Sequence, residues 1–181
     1  MKQEDIIELY TTLDKLGIQI WIGGGWGVDA LLGEPTRPHG DLDIQVQEKD
    51  LEKMCALLKA RGYKDVPRDD TCAWNFVLGD DHGRQIDFHV MNFNEAGDGV
   101  YGPTGFAFTA AALSGRGKIG DLPVKCISVE CQVKFHTGYK LRENDFKDID
   151  ALCKKFNVEY PEEYARLKQS KPTASKTDLK R

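Results

Sequence analysis

No apolar run in this chain approaches the roughly 20 residues that a bilayer-spanning helix needs, so a membrane function is not expected. The opening Met-Lys-Gln-Glu-Asp leads into an amphipathic pattern rather than an apolar signal core, which points to a cytoplasmic location. There is no C-x-x-C pair, and the five cysteines (Cys55, Cys72, Cys126, Cys131, Cys153) are odd in number. That pattern argues against a zinc site or a disulfide framework and predicts reduced, mostly buried thiols. Basic excess is missing as well. The formal net charge is −4, whereas a nucleic-acid backbone calls for a positive face, so no nucleic-acid partner is expected. Internal repeats are absent. What remains suffices for one ordinary core: 181 residues, 40% of them hydrophobic, with eight Phe, six Tyr and three Trp.

Apolar spacing predicts helices over 4–16, 26–32, 48–61, 128–139 and 143–157. Strands are expected at 18–22, 41–47, 71–78, 84–90 and 123–127, with a short one at 63–66. Asp80-Asp81-His82-Gly83 is a turn signal, so 71–78 and 84–90 should pair as a hairpin. The glycine-rich stretch 94–122 is expected to form loops and short strands on the substrate side. The tail from Lys168 is polar and without periodicity, and is expected to be disordered.

The chemistry concentrates between Ile22 and Gln47. Gly23, Gly24 and Gly25 leave the backbone bare where a helix begins, and its amides and positive end suit a phosphate. Asp41 and Asp43 then alternate with apolar residues. On a strand they share a face with Cα atoms roughly 6.5–7 Å apart, and two carboxylates so placed invite a divalent cation such as Mg²⁺. The same spacing also serves metal-dependent glycosyltransferases and phosphatases, and occurs on exposed strands with no chemistry at all. A third carboxylate, Asp87, lies on the 84–90 strand with His89 on its face. Were that strand to lie beside Asp41 and Asp43, the three acids would suit a two-metal site. An ion pair with Arg84 or a neighbour is the plainer alternative for Asp87.

The order strand, paired glycines, helix, loop, D-x-D strand resembles the nucleotidyltransferase superfamily that includes DNA polymerase beta. The runs W-I-G-G-G-W (21–26), G-W-G-V-D (25–29) and R-P-H-G-D-L-D-I (37–44) are similar to those of antibiotic nucleotidyltransferases, the lincosamide type first and the aminoglycoside 2''-type next. I-D-F-H (86–89) and the segment 125–139 agree, and the resemblance covers roughly residues 5–155. It implies an α/β nucleotidyltransferase fold: a small mixed sheet with flanking helices and a C-terminal helical segment. The implied activity is transfer of AMP from Mg²⁺-ATP to a hydroxyl of a small molecule, plausibly a lincosamide or aminoglycoside antibiotic. Two Mg²⁺ ions would be held by Asp41, Asp43 and Asp87, with Asp87 also serving as general base.

Gly24 and Gly25 match the glycines that contact the triphosphate in that family. Trp26 stands where many superfamily members place Ser or Thr, so backbone amides must carry more of that contact. Arg37 and His39 are candidates for neutralising triphosphate charge. His136, Tyr139 and Lys140 are spaced to share a helical face toward the nucleotide, and Lys147 resembles a phosphate-binding lysine. Trp74, Tyr101, Phe106 and Phe108 are candidates for an acceptor pocket or for core. The expected organisation is a catalytic domain over 1–122, a strand and helices over 123–167 packing on it, and a tail, as a monomer or homodimer. Two rivals stand beside this: a nucleotidyltransferase-like regulator acting on a protein partner, and a metal-dependent glycosyltransferase.

Overall fold

The computed structural model describes residues 1–137 and 139–170. Alternating apolar and polar positions build one mixed sheet at its centre. Strand β1 (Ile20–Ile22) lies antiparallel to β2 (Asp41–Gln47), and β2 runs parallel to β5 (Gln85–Phe93). Beyond β5 come β4 (Asn75–Gly79) and β3 (Lys64–Val66), both antiparallel to their neighbours. On the other flank β9 (Leu122–Cys126) pairs parallel with β1 and antiparallel with β8 (Gly115–Ile119). The end of β5 also pairs with β6 (Gly99–Tyr101), which pairs with β7 (Ala107–Phe108). The expected hairpin is therefore present, and the glycine-rich stretch supplies short strands.

Period-two alternation splits β2 and β5 into two faces. Leu42, Ile44, Val46, Ile86, Phe88 and Val90 are buried on one of them. Against that face pack α1 (Gln3–Lys15), α2 (Gly24–Leu32), α3 (Glu48–Ala60) and α5 (Glu143–Phe156), through residues such as Ile6, Leu13, Val28, Met54 and Leu152. The opposite face carries Asp41, Asp43, Gln45, Asp87 and His89. Near it Trp21, Met91, Phe108, Ala112, Leu113 and Ile127 form a second, smaller core. All five cysteines are free; Cys126 and Cys153 are buried and the others half-buried.

Three expectations change. Helix α2 begins at Gly24, not Trp26, so the glycines form its first turn with Gly23 as N-cap. Helix α4 (Val129–Phe135) stops short of residue 139. His136 Nδ1–H donates to the Gln132 carbonyl at 2.8 Å and the Thr137 hydroxyl to that of Lys134 at 2.6 Å, which closes the last turn. At the far end, residues 168–170 close α6 (Glu162–Ser170), and the rest of the expected disordered tail lies outside the described residues. Among the described residues no helix is long and apolar enough to cross a membrane.

Candidate active site

The parallel register of β2 on β5 sets Asp43 opposite Asp87 and Gln45 opposite His89. Ligand atoms of Asp43, Asp87 and His89 lie within 4.8 Å of one another. Asp41 does not join that cluster. It opens β2 opposite Gln85, one strand repeat from Asp43, and faces the same cavity. The donor set suits a divalent cation, because Asp87 Oδ1 is buried without a hydrogen-bond partner beside a second carboxylate. Its other oxygen accepts from Arg68 Nη1 at 3.0 Å, while Arg84 turns instead to Asp80 and Asp5. Burial raises the Asp87 pKa, and Asp43 and Asp41 add to this against His89 and Arg68.

His89 contributes more than a strand histidine satisfied by its neighbours. Tyr101 donates its hydroxyl to Asn75 Oδ1 at 2.8 Å, so its oxygen is left to accept from His89 Nδ1 at 3.3 Å. That fixes the ring and leaves Nε2 facing Asp43 at 3.9 Å. Burial works against the imidazolium, but Asp43 and then Asp87 outweigh it and the His89 pKa is raised.

The three glycines have separate steric reasons. At Gly24, with φ +51°, a Cβ would fall 1.9 Å from Asp43 Oδ2. At Gly25 it would meet His39 Nδ1 at 2.3 Å and Arg37 Nη2 at 2.8 Å, and at Gly23 it would crowd Gln45 Nε2 at 3.0 Å. The turn is bare because acidic strand and basic loop both close directly upon it. Gln132 Nε2 donates to the Gly24 carbonyl and ties α4 to the same turn. The Trp26 side chain is buried against His39, ring centroids 4.8 Å apart, and does not line the cavity.

Arg37 and His39 belong to a chain of polar groups that also holds the buried Asp29 and Asp148. Arg37 can only donate, so its 2.9 Å contact makes His39 Nδ1 the acceptor and places the ring proton on Nε2, which donates to Asp29 at 2.6 Å. Arg37 also donates from Nη2 to Asp148 Oδ2 at 2.7 Å. Burial lowers the Arg37 pKa; the Asp148 hydrogen bond and charge more than restore it, and the net shift is upward. His136 Nε2 approaches Asp148 to 3.8 Å.

The cavity enclosed by these groups measures 680 Å³. It is lined by Gly23–Gly25, Asp41, Asp43, Gln45 and His89, by Arg37, His39, His136 and Tyr139, and by the packed rings of Phe106, Phe108 and Phe135. Two site expectations are corrected. His136 and Tyr139 both line the cavity, but from the end of α4 and the segment after it, so no helical face carries them with Lys140. Lys147 is not among the lining residues: it is exposed and paired with Glu143 at 2.7 Å, because its position on α5 turns it away while Asp148 turns inward.

Residues 5–152 match the aminoglycoside-2''-adenylyltransferase family. The chain belongs to that family. It is 30% identical over 156 residues, 83% of this chain and 93% of the relative, to the lincosamide resistance protein of Staphylococcus haemolyticus. The crystal structure of the lincosamide antibiotic adenylyltransferase LnuA, lincomycin-bound, superimposes with a TM-score of 0.75 at 29% identity, over 84% of this chain and 96% of that one. ANT(2'')-Ia in complex with adenylyl-2''-tobramycin shares the fold, with a TM-score of 0.68 at 18% identity over 93% and 95% of the chains. As an adenylyltransferase-family member this chain is an enzyme of the nucleotidyltransferase class.

The residues that the sequence did not single out are Gln45, Arg68, Gln132 and Asp148. Gln45 had a signal, being the next same-face residue after Asp41 and Asp43. Arg68 reaches Asp87 from an irregular loop, for which no periodicity exists.

Proposed function

We propose that this enzyme transfers AMP from Mg²⁺-ATP to a hydroxyl of a small acceptor with an apolar face, of lincosamide rather than polycationic aminoglycoside type. The observation that carries the reading is the in-register Asp43–Asp87 pair, with Asp87 Oδ1 buried and unpartnered, beside a cavity that Asp43 lines together with a cluster of phenylalanines. Asp43, Asp87 and His89, with Asp41 beside them, would hold Mg²⁺. When bound, the ion would neutralise phosphate charge and acidify the acceptor hydroxyl. Gly24 and Gly25 at the start of α2 receive the triphosphate on backbone amides, with Arg37 and His39 adjacent. Asp87, beside the ion, takes the proton from the attacking hydroxyl.

The phenylalanine cluster supports the choice of acceptor. Phe106 packs edge-on against Phe108 and Phe135, at centroid distances of 5.1 and 5.9 Å. Besides Asp41 and Asp43 the lining acid is Asp145, which already accepts from the Arg142 backbone at 2.6 Å. A polycation would have to compete with the metal for its carboxylates, whereas an apolar sugar or ring face meets phenyl edges. A cytoplasmic site of action accords with the ATP requirement. The test is pyrophosphate release from Mg²⁺-ATP with lincomycin and with tobramycin, products examined by mass spectrometry. Lincomycin gaining one AMP is the expected result; ATP binding without transfer to either compound would redirect the reading to a protein partner.

A further inference from the structure

Gln45 is 4% exposed and lines the cavity, yet its carboxamide oxygen has no hydrogen-bond partner. A buried polar atom left unpaired destabilises a fold, and a leucine of similar size would remove that cost. The amide is also placed with care. It is the third residue on the Asp41–Asp43 face, opposite His89 on one neighbouring strand and Trp21 on the other. Trp21 belongs to the apolar cluster of Phe108 and Ile127, both of which line the cavity. Gln45 therefore stands between the carboxylates and the aromatic wall.

An unpaired carbonyl oxygen needs a donor. Phosphate oxygens of ATP offer none; its ribose hydroxyls and adenine amine do, but Gln45 borders the aromatic cluster that the reading above gives to the acceptor. The acceptor molecule, which spans from the carboxylates to the phenyl wall, carries hydroxyl or amide donors. Resting on that reading, we infer that Gln45 determines acceptor specificity: its Oε1 accepts a hydrogen bond from a hydroxyl or N–H that neighbours the hydroxyl being adenylylated. The role is recognition, with no part in binding the nucleotide or moving the proton.

Gln45→Leu separates this from a structural role. Wild-type transfer to lincomycin and tobramycin is measured first, and failure with both defeats the acceptor reading and this inference together. With a working acceptor, its Kd is measured by calorimetry on enzyme loaded with Mg²⁺ and α,β-methylene-ATP, with KM and kcat alongside. The expected result is an acceptor Kd and KM raised about tenfold, the loss of one hydrogen bond in a dry site. The Kd of the Mg²⁺-nucleotide should stay unchanged, and Tm should hold or rise. An unchanged acceptor Kd would overturn the inference while leaving the transferase reading intact. So would a tenfold loss in nucleotide affinity, which would make Gln45 a nucleotide or metal residue. A Tm lowered by several degrees would make it structural, and overturn it equally.

Discussion

Asp43 and Asp87 are Cα partners across the parallel β2–β5 pair, so their carboxylates point to the same side of the sheet from adjacent strands. A one-residue slip of β5 would turn Asp87 into the core and bring Phe88 out. The apolar face of β5 therefore fixes the register that brings the two acids together. Their mutual repulsion gives the first prediction. With burial first and Asp43 next among the groups raising it, the folded Asp87 pKa stands above its unfolded value. Metal-free protein should then lose stability as pH rises from about 4 through the raised value, and keep that deficit at neutral pH. Asp87→Asn should flatten this segment of a Tm-against-pH curve and raise the metal-free Tm at pH 7. In the same variant turnover should fall by about 10³-fold if Asp87 is the proposed base and ligand. A metal-free Tm that drops at neutral pH would show that Asp87 is held by more than it repels.

Arg68 occupies the second oxygen of Asp87 at 3.0 Å and also reaches Gln85 Oε1 at 3.2 Å. A cation entering at Asp87 has to share that carboxylate with a guanidinium that is 37% exposed. Solvent screening keeps such a pair weak, about 0.5–1 kcal/mol. Arg68→Ala should therefore tighten Mn²⁺ binding by roughly two- to fivefold, the equivalent of that energy, as read by electron paramagnetic resonance of free Mn²⁺. Weaker Mn²⁺ binding in the variant would mean that Arg68 instead orients Asp87 toward the ion.

Gly24 tests the steric account of the turn. Its φ of +51° and the Asp43 oxygen 1.9 Å from an added Cβ mean that Gly24→Ala must displace either the helix start or the carboxylate. A left-handed alanine alone costs about 1–2 kcal/mol. The displaced Asp43 should add a loss of turnover of at least 10²-fold, the scale of misplacing a reacting group by about 1 Å. Measured kcat/KM for ATP near the wild-type value would show that the turn has slack.

The strand–glycine–helix–strand order was readable because each element obeys a short period and each catalytic candidate sits inside one. Asp41, Asp43 and Asp87 all lie on alternating strands, so face and spacing follow from sequence alone. The C-terminal half was less legible for the opposite reason. Lys147 and Asp148 are adjacent on one helix, and spacing alone does not say which of them turns to Arg37 and His136, which line the cavity. The 3.6-residue period turned the acid inward and left the lysine with Glu143. His136 and Tyr139 were placed on one helix face because the pattern ran on, but side-chain and main-chain hydrogen bonds ended α4 at Phe135. The orientation of His89 was not legible either: it depends on the Tyr101 hydroxyl behind the ring, which leaves Nε2 turned to Asp43.

Asp148 ties α5 to the loop that the proposed reading places beside the triphosphate. It is 2% exposed, and its carboxylate holds Arg37 through Nη2 at 2.7 Å and Nε at 3.4 Å. Arg37 in turn covers Gly25 and settles the His39 tautomer. Asp148→Asn keeps the shape but removes the charge, leaving a half-buried guanidinium with weaker partners, so the fold should lose about 2–4 kcal/mol in urea denaturation. Freed from its tether, Arg37 no longer presents a fixed edge over the glycine turn. KM for ATP should rise while KM for the acceptor changes little, because the proposed reading places the acceptor against β2, β5 and the phenylalanines. Lys147→Ala serves as the neighbouring control, since an exposed pair with Glu143 predicts no change in either constant. Equal effects of the two substitutions on KM for ATP would show that the helix acts through its general stability, and not through the Asp148–Arg37 contact.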